Sequence, residues 1–119
     1  MTVVRKGLIS GSGDPKIHLA SWAPTLFSVC TVPSNRDAGP TDQTRNLLAI
    51  LDGYLQDAKL DRSRVMMAQV WLATMGDHES FVEAWHEWID LDAPPALSVV
   101  QAPAARRDVL VEIRIYVGK

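Results

Sequence analysis

Glu79, Glu83 and His86 stand at i, i+4 and i+7, so a helix would carry all three on one face. Two carboxylates beside an imidazole could hold a metal or move protons; the same spacing also describes an ordinary solvated face. Glu112 poses a sharper question. It lies inside the alternating run Val109, Val111, Ile113, Ile115 and Val117, and a carboxylate in so apolar a strand needs a partner. It reads either as a functional group or as an interface carboxylate, and Arg114 shares its strand face. Cys30 sits in an apolar run and reads as inert core, because burial raises a thiol's pKa. His18 and His78 show no metal-ligand spacing. Phosphate-binding loops, dinucleotide glycine patterns and nucleophile elbows are missing from the sequence.

Two helices must position these groups. Leu47, Leu48, Leu51, Leu55 and Ala58 recur at three- and four-residue steps and predict a helix over residues 41–58, with Thr41 as its cap and Asp42 at the positive end of its dipole. Phe81, Val82, Trp85, Trp88 and Ile89 predict a second over residues 78–90, capped by Asp77 and stopped by Pro94 and Pro95. Trp71, Trp85 and Trp88 read as core and helix–sheet packing. Strand signals fall at residues 26–32, 65–72, 96–101 and 109–117, with weaker ones at 7–10 and 17–22. Turn-rich loops occupy residues 11–15 and 34–40. The order β-β-β-α-β-α-β-β implies an α+β domain whose two helices cover one face of a sheet. In residues 65–72 one face carries Val65, Met67, Gln69 and Trp71, and the other Met66, Ala68, Val70 and Leu72. Both faces want burial and the chain can cover one, so a partner subunit is expected on the other.

The whole chain of 119 residues reads as a single domain, residues 1–119. A hydrophobic share of 47% argues against disorder. A net charge of −2 gives no reason to expect nucleic acid or an anionic membrane as partner. One cysteine cannot form an internal disulfide and suggests a reducing compartment. Residues 1–6 lead into no long apolar run, so neither a signal peptide nor a membrane span is expected, and a cytoplasmic location is the default.

An ordered set of short segments then resembles the RidA/YjgF reactive-intermediate deaminase family, with its chorismate-mutase-like fold. The matching segments are Thr25-Leu26-Phe27 at the third strand, Gln43-Thr44-Arg45 opening the first helix, and the 65–72 strand followed by Met75-Gly76-Asp77. Pro95-Ala96-Leu97-Ser98-Val99-Val100 and Leu110-Val111-Glu112-Ile113 complete the set. The resemblance implies a homotrimer with helices outside and three intersubunit clefts that take a small metabolite. It also implies cofactor-free hydrolysis of enamines and imines to keto acids and ammonia, with Glu112 placing the water. The family's carboxylate-binding arginine falls on Leu97, which cannot bind a carboxylate. Leu97, Val99 and Trp22 would then form an apolar cleft wall. A family asparagine falls on Glu83, a cleft segment on Asp14-Pro15-Lys16-Ile17, and the Ser-Gly-Gln segment on Val29-Cys30-Thr31. Lys16, Arg114, Arg106 and Arg107 are the cations that could stand in for the arginine. The implied reading is a hydrolase or deaminase of altered specificity. The alternative is a non-catalytic binding trimer using the same cleft. RNA cleavage would want a basic stripe and chorismate-mutase chemistry several cations, and neither is offered here.

Overall fold

The computed structural model describes residues 2–12 and 15–119. Asp14, one position of the cleft segment above, and Gly13 of the adjoining loop lie outside the described residues. Eight elements follow in the expected order: β1 (Val4–Ile9), β2 (Ile17–Trp22), β3 (Leu26–Thr31), α1 (Pro40–Asp57), β4 (Val65–Leu72), α2 (His78–Trp88), β5 (Ala96–Gln101) and β6 (Val111–Gly118). Short 3-10 turns, Arg62–Arg64 and Met75–Asp77, lead into β4 and α2. The strands form one sheet in the order β1-β2-β3-β6-β4-β5, with only the β4–β5 pair parallel.

The alternation of β6 sets the two faces. Val111, Ile113, Ile115 and Val117 are buried against both helices, and Glu112, Arg114 and Tyr116 point the other way. Phe27 and Val29 of β3 and Ala68, Val70 and Leu72 of β4 join the buried side. Leu47, Leu48, Leu51 and Leu55 of α1 close on it, as do Phe81, Ala84, Trp85 and Trp88 of α2. Each fully buried leucine contributes about 1.5–3 kcal/mol relative to exposure.

Three local expectations need correction. A bulge between Val65 and Met67 breaks the period of β4, so Val65 is buried beside Ala68 while Met66 is 57% exposed. Thr41 does not cap α1: Gly39 holds the cap position, and Pro40, whose ring presets the helical φ, opens the first turn. The second helix ends at Trp88 rather than Asp90, because Ile89 turns extended to bury its side chain. Asp77 does cap α2, but its side chain makes no capping bond; Thr74 accepts from the Gly76 N–H one turn earlier.

Candidate functional site

The face of the sheet away from the helices carries the polar groups. Cross-strand register arranges them in rows. Glu112 pairs with Trp71, which pairs with Val100. Arg114 lies between Cys30 and Gln69, and Tyr116 between Ser28 and Met67. Arg114 Nη1 donates to Ser28 Oγ at 3.1 Å, and its guanidinium lies 5.9 Å from the Tyr116 ring centroid. Burial pushes the Cys30 thiol up to about 11, the Glu112 charge adds to the rise, and Arg114 opposes it. A thiol in that state is protonated at neutral pH and is no nucleophile. Its inertness fits expectation, although it sits half-buried on the open face rather than in the core. Trp71 is likewise corrected: only Trp85 and Trp88 pack between helix and sheet, while Trp71 faces outward beside Glu112.

At the Glu112 end of this face the 102–110 loop folds over the sheet and leaves a recess of about 300 Å³, lined by Trp71, Ala102, Ala104, Leu110 and Glu112 among others. A smaller recess of about 100 Å³ adjoins it, sharing Ala104, Ala105, Val109 and Glu112 and adding Val32, Arg36 and Arg106. Gln43, fully buried near the start of α1, ties the walls together. Its Nε2 donates to the carbonyls of Asp108 at 2.9 Å, Ala38 at 3.1 Å and Arg36 at 3.3 Å, and its Oε1 accepts from the Leu110 N–H at 2.9 Å. One side chain thus fixes the loop that carries Arg36 against the loop that carries Arg106. A half-buried carboxylate beside an indole wall and two guanidinium groups can polarise a water, accept its proton, or orient a cationic or polar group.

Most of the other expected site residues do not converge on Glu112 within one chain. Leu97 and Val99 pair with Ala68 and Val70, which puts them on the helix side of β5, opposite to Glu112. Val99 packs on the core and Leu97 is 44% exposed at the sheet edge. Trp22 packs on Phe27 in a tilted pair, ring centroids 5.3 Å apart, against the same core. Lys16 precedes β2, two strand spacings from the Glu112 strand, or about 10 Å at the usual interstrand distance. Glu83 is on the outer surface of α2, drawn 3.5 Å from Arg45 rather than toward the sheet. Arg45 also makes a two-pronged bond to Glu87, at 2.8 and 2.9 Å, and this holds the Glu87 carboxyl below its usual range. Glu79 and His86 are exposed on that surface. Of the residues considered, the fold sets Arg114 on the same strand face as Glu112 and brings Arg106 to the smaller recess that Glu112 also lines. Sequence reasoning missed Arg36, Leu110 and the outward turn of Trp71. The alternation of β6 already aligns Leu110 with Glu112, but Trp71 needs the β4–β6 register and Arg36 needs the Gln43 tie.

A family profile described as Endoribonuclease L-PSP matches residues 25–118. A RutC family protein of Haemophilus ducreyi is 34% identical over 84 residues, 71% of this chain and 72% of its own length. The RutC family protein YoaB of Escherichia coli is 32% identical over 115 residues, 97% of this chain and 96% of its own. The crystal structure of a YjgF family member from Neisseria meningitidis superimposes with a TM-score of 0.87 at 29% identity, covering 100% of this chain and 96% of that one.

Proposed function

The chain belongs to the RidA/YjgF family, the one its profile calls Endoribonuclease L-PSP, and from that premise we propose that it hydrolyses an imine or enamine metabolite at the Glu112 recess, within a homotrimer. The observation that carries the reading is Glu112 itself. It stands half-buried at the junction of two recesses, with no ion-pair partner among the described residues. As general base its carboxylate takes a proton from water while the oxygen attacks the C=N carbon. The nitrogen accepts that proton to give the carbinolamine, whose hydroxyl proton then passes through Glu112 to the nitrogen as the C–N bond breaks and the C=O bond forms. One imine and one water become one ketone and one ammonia, and no electrons change hands. The trimer is supported by apolar surface left on the uncovered face, with Leu26 and Val100 each 45% exposed and Met67, Trp71 and Tyr116 half-exposed. Leu97, in place of the family's arginine, points to a substrate not anchored at that position.

The test is keto-product release from imines generated by an amino-acid oxidase, with side chains of different size and charge. Faster release that is lost in Glu112→Gln supports hydrolysis; no acceleration with any imine removes it. Leu97 also favours a second reading, a non-catalytic trimer that binds a small apolar-tailed metabolite. There Glu112→Ala would change ligand affinity in a thermal-shift screen with no turnover to lose. RNA cleavage, which the profile's description names, has less support from a chain of net charge −2. Among the described residues no helix is long and apolar enough to cross a membrane; a cytoplasmic location remains part of this proposal.

A further inference from the structure

All four side-chain bonds of Gln43 leave its own helix. Its amide is fully buried, and it reaches only main-chain groups of two loops: the carbonyls of Arg36, Ala38 and Asp108 and the N–H of Leu110. The second of these loops, residues 102–110, walls the larger recess at Glu112 and is held at both roots. At one root the Ala102 N–H donates to the Leu72 carbonyl at 3.0 Å. At the other the Leu110 carbonyl accepts from the Ala73 N–H at 3.0 Å, and the Leu110 N–H donates to Gln43 Oε1 at 2.9 Å. Between the roots the wall is Pro103, Ala104 and Ala105, short side chains that add little packing of their own. Leu110 lines the recess itself, and Glu112 follows it by two residues. The shape of the recess therefore depends on the loop's roots, and Gln43 is the side chain that bonds one of them.

We infer that Gln43 is a positioning residue of the Glu112 site: its neutral amide sets the 108–110 backbone and, through it, the recess in which Glu112 works. The inference rests on the hydrolysis proposed above, but it has a readout of its own. An amide suits the place because it donates and accepts at once, Nε2 toward carbonyls and Oε1 toward an N–H. A protonated carboxyl can copy this in part, donating to one carbonyl while its other oxygen accepts from Leu110. A carboxylate cannot, because three carbonyl oxygens face it. The surroundings supply little charge to offset that repulsion. Arg36 and Asp108 present carbonyls to Gln43, the Arg36 residue is half-buried, and Asp37, Asp42, Arg45, Arg106, Arg107 and Asp108 are exposed.

The experiment compares Gln43→Glu and Gln43→Leu with the wild-type chain from about pH 5.5 to about pH 8.5. Imine hydrolysis gives kcat and KM, each kcat divided by the folded fraction that urea unfolding reports at that pH. NMR follows the Leu110 and Glu112 amides and the Trp71 indole N–H. The carboxyl introduced by Gln43→Glu is buried among carbonyls, so its pKa rises above the ordinary carboxylate range and the group is neutral at the acid end. There Gln43→Glu should keep kcat within about 3-fold of wild type. As pH rises it should fall to the level of Gln43→Leu, about 10- to 100-fold down, the usual cost of a small misplacement at a reacting centre. KM should change much less, and the three NMR signals should follow the same titration. Where Gln43→Leu does not fold, the acid and alkaline forms of Gln43→Glu serve as each other's control. Full kcat per folded molecule in the variants, or a loss in Gln43→Glu that ignores pH, overturns the inference and leaves Gln43 a residue of stability alone. If the wild type hydrolyses no imine, the hydrolase reading fails and the NMR signals still decide this one: unmoved by Gln43→Glu at any pH, they sink it; moving with its titration, they sustain it.

Discussion

Glu112 and Cys30 lie on adjacent strands, one row apart on the same face, yet their chemistry diverges because of what surrounds each. Glu112 opens onto a recess; Cys30 is hemmed by its own strand and by Arg114. Replacing Glu112 with Gln keeps its shape and removes the base. Imine turnover should fall about 10²- to 10⁴-fold, the usual contribution of a positioned general base, with the melting temperature little changed. The Cys30 prediction follows from its raised pKa, moved from 9.0 to about 11. At a fixed pH below 9 the thiolate fraction is about 100-fold lower than for an unperturbed thiol, so iodoacetamide should modify Cys30 about that much more slowly than free cysteine, accelerating as pH rises toward 11. The sign for stability matches: the unfolded thiol ionises first, so this group begins to favour unfolding only above about pH 9. Rapid alkylation of the folded protein at pH 7 would contradict this placement.

At the scale of elements, α1 does more than cover the sheet, because Gln43 reaches from its first turn to both loops of the site. Gln43→Leu would strand three carbonyls and one N–H, and we expect about 2–4 kcal/mol lower stability in urea unfolding, with faster amide exchange at Leu110. Gly7 in β1 makes a second test. Its φ is +74°, and an added Cβ would meet the Tyr54 hydroxyl at 2.6 Å and Leu19 Cβ at 3.0 Å. Gly7→Ala should cost about 1–3 kcal/mol, measured the same way, and loosen the hold of β1 on α1. These two residues also mark where the sequence stops being informative. The alternation of β6 and the leucine spacing of α1 are local patterns, and they alone place Glu112 on a face opposite the core. Gln43 bonds to groups 65 and 67 residues away, which no window of periodicity can hold. The bulge at Met66 shifts a face by one residue without leaving a mark in an all-apolar run. Leu97 and Glu112 belong to different strands, and only the β5–β4–β6 register reveals that they face opposite ways.

That opposition matters for the whole molecule. Within one chain the sheet's edges, β1 and β5, are its two farthest strands, and the expected cleft residues Lys16, Leu97 and Glu112 are scattered among an edge loop, an edge strand and a central strand. A site using all three needs a second copy to bring one edge against another open face, which is the assembly the family resemblance implies. The open face is suited to such contact in a graded way. Leu26 and Val100 lie toward opposite ends and sides of it, and Ser28, Gln69 and Arg114 fill the middle. Its apolar parts should hold the subunits, while the polar middle sets their register. Light scattering at micromolar concentration should therefore give three times the chain mass. Val100→Asp places an unpaired charge in the proposed contact and should shift the mass toward monomer, with the far-ultraviolet circular dichroism of the fold retained. Glu83→Ala, on the outer helical surface, should leave the mass unchanged. A wild-type monomer would refute the trimer, and a trimer indifferent to Val100→Asp would place its interface elsewhere.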